Sequence, residues 1–283
     1  MIFRLKRAIV LGILVCGLGT SLCAQSAWIP GRSNYSALYA GIKAKKSIKI
    51  MHIGDSHINR GYTSAPIREA LLNRYGNNIN FSFEGINGAT YSSWLQPQNI
   101  ELIKNEAPDM LIISLGTNDS YTRNFSSEKL RASMEAFTMK IKEILPNTKI
   151  ILTTPPACYL RDTRSQIVGY TKARRRHKRK PIYSTTTVFA FNNNTRVAVN
   201  TIKYFGQANA MPVIDLHASI GTKSQAEEWL KKGLMASDHV HFTELGYAKH
   251  GEIIASALIS GIEGSKKVVI PFYYEFLGSS RSN

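Results

Sequence analysis

Residues 48–53, Ile-Lys-Ile-Met-His-Ile, run directly into Gly54-Asp55-Ser56-His57. A short, nearly unbroken apolar stretch that ends in turn-prone polar sequence is how a parallel strand buried on both faces looks when it reaches the mouth of an α/β sheet. Ligands of open parallel sheets bind beyond the carboxyl ends of the strands, so Ser56 is expected where a substrate arrives. Gly-Asp-Ser alone is three common residues. Its meaning depends on whether the rest of the chain supplies a base, a group to orient that base, and donors for an oxyanion.

The rest of the chain repeats the pattern. Strands are predicted over 48–53, 79–83, 110–115, 149–153 and 212–216, and helices over 36–46, 64–75, 126–145, 194–205, 226–234 and 243–262. The helix at 126–145 has the cleanest period, with Leu130, Met134, Phe137, Ile141 and Leu145 on one face. Ser64 is expected to cap its helix, with Pro66 tolerated in the first turn, and Thr243 to cap the last helix. Alternating strands and helices imply a parallel sheet of about five strands with helices on both faces, reached by right-handed crossovers. The expectation is one domain over 28–283, with an inserted loop or hairpin at 160–192 on the rim of the sheet and an edge strand at 268–276.

Residues 1–27 read as a secretory signal: Arg4, Lys6 and Arg7 precede an apolar stretch from Ala8 to Leu22, followed by small residues at Ala24, Ser26 and Ala27. The apolar stretch is too short and too Gly-rich to span a bilayer well. An exported chain with no stable membrane span after cleavage is therefore expected. Of three cysteines, Cys16 and Cys23 lie in this signal, which leaves Cys158 alone and no intrachain disulfide. The formal charge is +17, and three of those charges belong to the signal. The run 172–180, Lys-Ala-Arg-Arg-Arg-His-Lys-Arg-Lys, holds seven of the fourteen that remain.

Four segments fall at the same rim of the expected sheet: the loop at Ser56, the turn carrying Gly85 and Gly88, the end of the third strand at Asn118, and the loop with Asp238 and His241. Acyl transfer needs this set. A serine hydroxyl is a poor nucleophile until a base takes its proton. His241 is the candidate base, and Asp238, three residues earlier, the group that holds its ring. The backbone N–H of Ser56, the N–H of Gly88 and the Asn118 side-chain amide are the candidate oxyanion donors. Each residue also has an ordinary use, Gly88 as a turn and Asn118 as a cap, and His239 reads as a bystander. Their joint occurrence at strand ends is what carries the assignment.

Gly54-Asp55-Ser56, Gly88, Gly116-x-Asn118-Asp119 and Asp238-x-x-His241 resemble the four sequence blocks of the GDSL, or SGNH, hydrolases. The resemblance covers about residues 48–262. It implies a flavodoxin-like three-layer α/β/α sandwich and ester hydrolysis with no cofactor and no metal. It also implies Ser56, Asp238 and His241 as the triad and Ser56, Gly88 and Asn118 as the oxyanion hole. His57 stands where leucine is commonest in the family, which resembles a bacterial subset, and Gly85 competes with Gly88 for the second block. The absence of a Gly-x-Ser-x-Gly elbow disfavours the larger α/β-hydrolase family.

Asp238-His-Val-His-Phe-Thr243 resembles the last block of exported carbohydrate esterases, including peptidoglycan O-acetylesterases. The expected substrate is an acylated cell-envelope or extracellular polysaccharide, with acetyl the expected group and a periplasmic or secreted location. The basic run reads either as a hold on the polymer's carboxylates or as a solvated loop. Rival readings are a lipolytic or small-ester esterase, an O-acetyltransferase on the same residues, and a catalytically silent binding protein. The signal argues against nucleic acid as a partner. A metal-dependent phosphoesterase would use Asp55 with His57, His217 and His239, but lacks the second ligand segment.

Overall fold

In the central strands, odd and even residues are both buried, and they feed two different cores. Met51, Ile53, Leu111, Ile113, Ile150, Leu152 and Val213 belong to one apolar cluster, and Ile48, Ile50, Met110, Ile112, Ile151 and Ile214 to another. Strand side chains alternate faces, so a strand covered on both sides is apolar at nearly every position. This is the physical origin of the continuous apolar runs in the sequence.

The computed structural model describes residues 28–29, 36–44, 46–171 and 179–264. The expected signal at 1–27, residues 172–178 of the basic run and the expected strand at 268–276 lie outside the described residues. In chain order the elements are β1 (Trp28–Ile29), α1 (Ser36–Lys43), β2 (Ile48–Gly54), α2 (Ser56–Asn59), α3 (Ser64–Tyr75), β3 (Ile79–Gly85), α4 (Pro97–Glu106), β4 (Met110–Ser114), α5 (Thr117–Ser120), α6 (Ser127–Ile144), β5 (Lys149–Thr153), β6 (Tyr159–Tyr170), β7 (Pro181–Phe191), α7 (Asn193–Ala208), β8 (Val213–Ile214), α8 (His217–Ile220), α9 (Lys223–Lys231) and α10 (Glu244–Ile262).

Five parallel strands pair in the order β3-β2-β4-β5-β8, and β1 adds antiparallel to the β8 edge. Counted along the parallel strands this is 2-1-3-4-5, the flavodoxin-like order, whose ligand crevice opens where the winding reverses. Here that switch point lies between β2 and β4. One face of the sheet is covered by α4, α6 and α7, through Ile103, Phe137 and Ile202 among others, and the opposite face by α1, α3 and α10, through Ile42, Leu71 and Leu258. The molecule is thus a three-layer α/β/α sandwich. The segment at 160–192 forms an antiparallel hairpin, β6 with β7, separate from the main sheet.

Several local readings need correction. Helix α4 has no counterpart among the expected helices; Pro97 occupies its first turn, and Ile100 and Ile103 pack inward. Ser64 does not cap α3. Thr63 holds that position without a side-chain capping bond, its hydroxyl donating to the His57 carbonyl, and the Ser64 hydroxyl bonds His52 Nδ1 at 2.9 Å. Helix α9 begins at Lys223, earlier than expected, because Thr222 and Gln225 form a capping box. The last parallel strand is only Val213–Ile214. Thr243 caps α10 as expected, accepting from the Gly246 N–H at 3.3 Å.

His52 is fully buried inside the sheet layer, its Nδ1 on Ser64 and its Nε2 on the Ser114 hydroxyl at 2.8 Å. Burial lowers its pKa to about 3, and burial, with a smaller repulsion from His57, does the same for His250 of α10. An unfolded histidine titrates near 6.5. Between about pH 6.5 and 3 the unfolded chain therefore holds the extra protons, and stability falls as pH falls, by up to about 1.4 kcal/mol per pH unit for each such proton. Asp119 works in the opposite direction. Burial pushes its carboxyl up to about 6, so its contribution is lost as pH rises from about 4 to 6. Two imidazoles over a wider window outweigh one carboxyl. The thermal midpoint, followed by circular dichroism, should drop steadily from pH 6.5 to 4, and a flat profile would contradict the buried neutral histidines.

Candidate active site

Strand β2 ends at Gly54, where an added Cβ would lie 2.4 Å from Ile58 and 2.7 Å from the Ser114 carbonyl. The chain turns at once into α2. Asp55 is its N-cap, accepting from the His57 N–H at 2.9 Å, and Ser56 is the first helical residue. This turn holds the serine at the carboxyl end of β2, at the switch point.

The loop between α9 and α10 meets it there. The Ser56 hydroxyl lies 2.9 Å from His241 Nε2, and His241 Nδ1 lies 2.6 Å from Asp238 Oδ2. The other carboxylate oxygen, Oδ1, accepts the N–H groups of Val240 at 3.0 Å and His241 at 2.9 Å. Burial acts to raise the Asp238 carboxyl, but the bonds from the His241 ring and from the two backbone N–H groups outweigh it, and the net shift is downward. Asp238 is thereby held as the carboxylate, facing Nδ1 of the ring whose Nε2 is turned to the Ser56 hydroxyl. Three residues separated by up to 185 positions in sequence form one hydrogen-bonded chain.

On the other side of Ser56, the two competing glycines prove different in kind. Gly85 ends β3 against the backbone of α2, where a Cβ would sit 2.1 Å from the Asn59 nitrogen, so it is a close-approach glycine. Gly88 has open space around it and φ +75, so it is a turn glycine. The Asn118 Nδ2 donates to the Ala89 carbonyl at 3.0 Å and to Asp55 Oδ2 at 3.2 Å, which ties the Gly88 turn to the end of β4. Among the described residues, neither the Ser56 N–H nor the Gly88 N–H has a hydrogen-bond acceptor.

Two further residues belong to the site and were not assigned roles from sequence. Asp55 joins α2, His57 and Asn118 through one carboxylate. His57 is buried, its Nδ1 3.1 Å from Asp55 Oδ1 and its ring 5.6 Å from that of His241. Burial lowers the His57 pKa, against a smaller opposing pull from Asp55. A neutral ring there leaves the charge on His241 unopposed. In sequence, Asp55 showed as part of the Gly-Asp-Ser block, His57 as a departure from leucine, and both as a ligand pair of the phosphoesterase reading, none of which pointed to these contacts. His239 stacks on Phe189 of β7 at 4.0 Å, and His217 bonds the Pro155 carbonyl at 3.3 Å. Among the described residues, no three His, Cys, Asp or Glu side chains gather as metal ligands would. Cys158 is buried, and burial raises its thiol.

The architecture is shared with solved ester hydrolases. A structure described as a peptidoglycan O-acetylesterase in action superposes with a TM-score of 0.67 at 13% identity, covering 84% of this chain and 99% of that one. The acetyl xylan esterase AlAXEase gives 0.52 at 18%, covering 75% and 100%. A lipase/acylhydrolase from Enterococcus faecalis gives 0.51 at 24%, covering 78% and 98%. These likenesses define the class as the SGNH hydrolase fold. No curated protein matches the chain in sequence. Residues 52–249 match the GDSL-like lipase/acylhydrolase family, and the chain belongs to that family of ester hydrolases.

Proposed function

We propose that this protein is an exported serine esterase that removes O-acetyl groups from a cell-envelope or extracellular polysaccharide. The observation that carries the reading is the unbroken chain Ser56 Oγ–His241–Asp238 at 2.9 and 2.6 Å. Ser56 Oγ attacks the ester carbonyl carbon while His241 Nε2 takes its proton. The C–O bond to the sugar then breaks, and His241 returns that proton to the departing sugar oxygen. Water, deprotonated by the same imidazole, then attacks the acetyl carbonyl carbon; the bond to Ser56 Oγ breaks, His241 returns the proton to Oγ, and acetate leaves. The Ser56 and Gly88 N–H groups and the Asn118 amide hold the oxyanion at each stage.

Acetyl esters on a glycan fit the relatives, which include proteins described as acting on acetylated xylan and peptidoglycan. Residues 1–27 would direct export, and the basic run 172–180 would attract an anionic polymer. Among the described residues no helix is long and apolar enough to cross a membrane. The test is acetate release from O-acetylated peptidoglycan sacculi and acetylated xylan, with Ser56→Ala as control. Acetate is expected from at least one polymer with the wild type only. Cleavage of short lipid esters with no acetate from either glycan would overturn the carbohydrate assignment.

A further inference from the structure

The β6–β7 hairpin is anchored to both loops that frame Ser56. The Tyr159 N–H donates to the His239 carbonyl at 2.9 Å, and Phe189 stacks on the His239 ring, two residues from His241. The Arg161 N–H donates to the hydroxyl of Tyr121, three residues beyond Asn118, at 3.1 Å, and Asp162 pairs with Arg123 at 2.9 Å. From this root the two strands run 12 and 11 residues, mostly exposed on both faces. A two-stranded ribbon gains little stability by itself, so its length asks for a use.

The pairing register sorts the ribbon into two faces. Phe189 lies opposite Arg161, Thr187 opposite Thr163, Thr185 opposite Ser165, and Tyr183 opposite Ile167. Strand alternation puts all of these on the face that starts at His239. That face therefore runs from the His241 loop through four hydroxyls to an exposed tyrosine, 59% accessible. From Phe189 to Tyr183 it extends about 20 Å. The opposite face carries Asp162, Arg164 and Gln166 against Val188, Thr186 and Ser184.

We propose that the Thr163/Thr187–Ser165/Thr185–Tyr183 face is a binding track for an anionic, O-acylated glycan chain whose ester is held at Ser56. The proposal rests on the esterase reading above and extends it to the bulk of the substrate. Hydroxyls both donate and accept, as sugar hydroxyls do, and a tyrosine ring offers a flat apolar face with a polar tip. The hairpin's charge is positive, with Arg161, Arg164, Arg179 and Lys180 against Asp162, which is already paired. Cross-strand threonine pairs also suit a ribbon as such. They do not account for a polar and aromatic row that begins at the active-site loop. On this face the exposed apolar side chains are Ile167, Tyr183 and, past the bulge, Tyr170, and two of the three carry polar tips, which is less apolar area than a lipid surface would call for.

The experiment compares Thr185→Glu/Thr187→Glu on the track with Ser184→Glu/Thr186→Glu, the same charge on the opposite face. Each is assayed on O-acetylated peptidoglycan sacculi and on p-nitrophenyl acetate. The track variant should raise KM for sacculi about tenfold with kcat and p-nitrophenyl acetate turnover unchanged, and the opposite-face variant should stay within about twofold. If the wild type releases acetate and both variants behave alike, the track is overturned and the esterase reading stands. If the wild type releases no acetate from sacculi or xylan while cleaving p-nitrophenyl acetate, the glycan reading fails and the track with it. Wild-type binding to phosphatidylglycerol vesicles that the track variant abolishes, with the sacculus KM unmoved, would assign the face to lipid and overturn the proposal.

Discussion

Ser56→Ala should lower kcat/KM for p-nitrophenyl acetate by about 10⁴–10⁶-fold, His241→Ala by a similar factor, and Asp238→Asn by about 10³–10⁴-fold. The ordering follows from the geometry. In the proposed mechanism Ser56 Oγ makes the new bond, and His241 Nε2, 2.9 Å away, takes its proton. In the same mechanism Asp238, 2.6 Å from His241 Nδ1, acts through His241, by fixing the tautomer and facing the imidazolium. As the asparagine it would keep one acceptor for the Val240 and His241 N–H groups but lose the charge. The effects should not add. Once the hydroxyl is gone the base has nothing to deprotonate, so Ser56→Ala/His241→Ala should be within about threefold of Ser56→Ala alone. Thermal midpoints should move little, since neither Ser56 nor His241 is a core residue. A Ser56→Ala protein that keeps a tenth of wild-type activity, or a double variant far below both singles, would remove the nucleophile–base assignment.

The parts of the molecule that were legible in sequence are those whose cause is local or periodic. Met110 to Leu115 is apolar except at Ser114, whose hydroxyl bonds His52, because both faces of β4 are covered, and α6 shows its buried stripe because only one of its faces is. The catalytic-type residues were legible because loops at strand ends carry chemistry while the strands only pack. What escaped depends on partners brought from elsewhere. Ser64 looked like a cap, but its hydroxyl answers a histidine from the neighbouring strand. Helix α4 has only Ile100 and Ile103 fully inward, too few to show a period between two loops. The division of labour between Gly85 and Gly88 rests on how close α2 passes to β3, a distance no spacing in the chain encodes. Asp55 was read as part of the Gly-Asp-Ser signature and, in the rival reading, as a metal ligand, whereas its carboxylate joins α2, His57 and Asn118.

That carboxylate bears on the second large effect, at Asn118. Removing one oxyanion donor costs about 10²–10³ in turnover, and Asn118→Ala should lower kcat on p-nitrophenyl acetate by that factor with KM within about threefold. The resting geometry makes the test sharper than it would be for a free amide. One Nδ2 hydrogen is held by the Ala89 carbonyl at 3.0 Å, and the other faces Asp55 Oδ2 at the longer distance of 3.2 Å. The second is the one available to a developing oxyanion, as a bond shared with Asp55. Neutralising that competitor should strengthen donation to the oxyanion, whereas a purely structural tie would only be weakened. Asp55→Asn also strains the cap of α2, so its thermal midpoint must be measured beside its activity. If Asn118→Ala instead keeps more than a third of kcat while its thermal midpoint falls, the amide serves to hold the Gly88 turn to β4, and the oxyanion is carried by the Ser56 and Gly88 N–H groups alone.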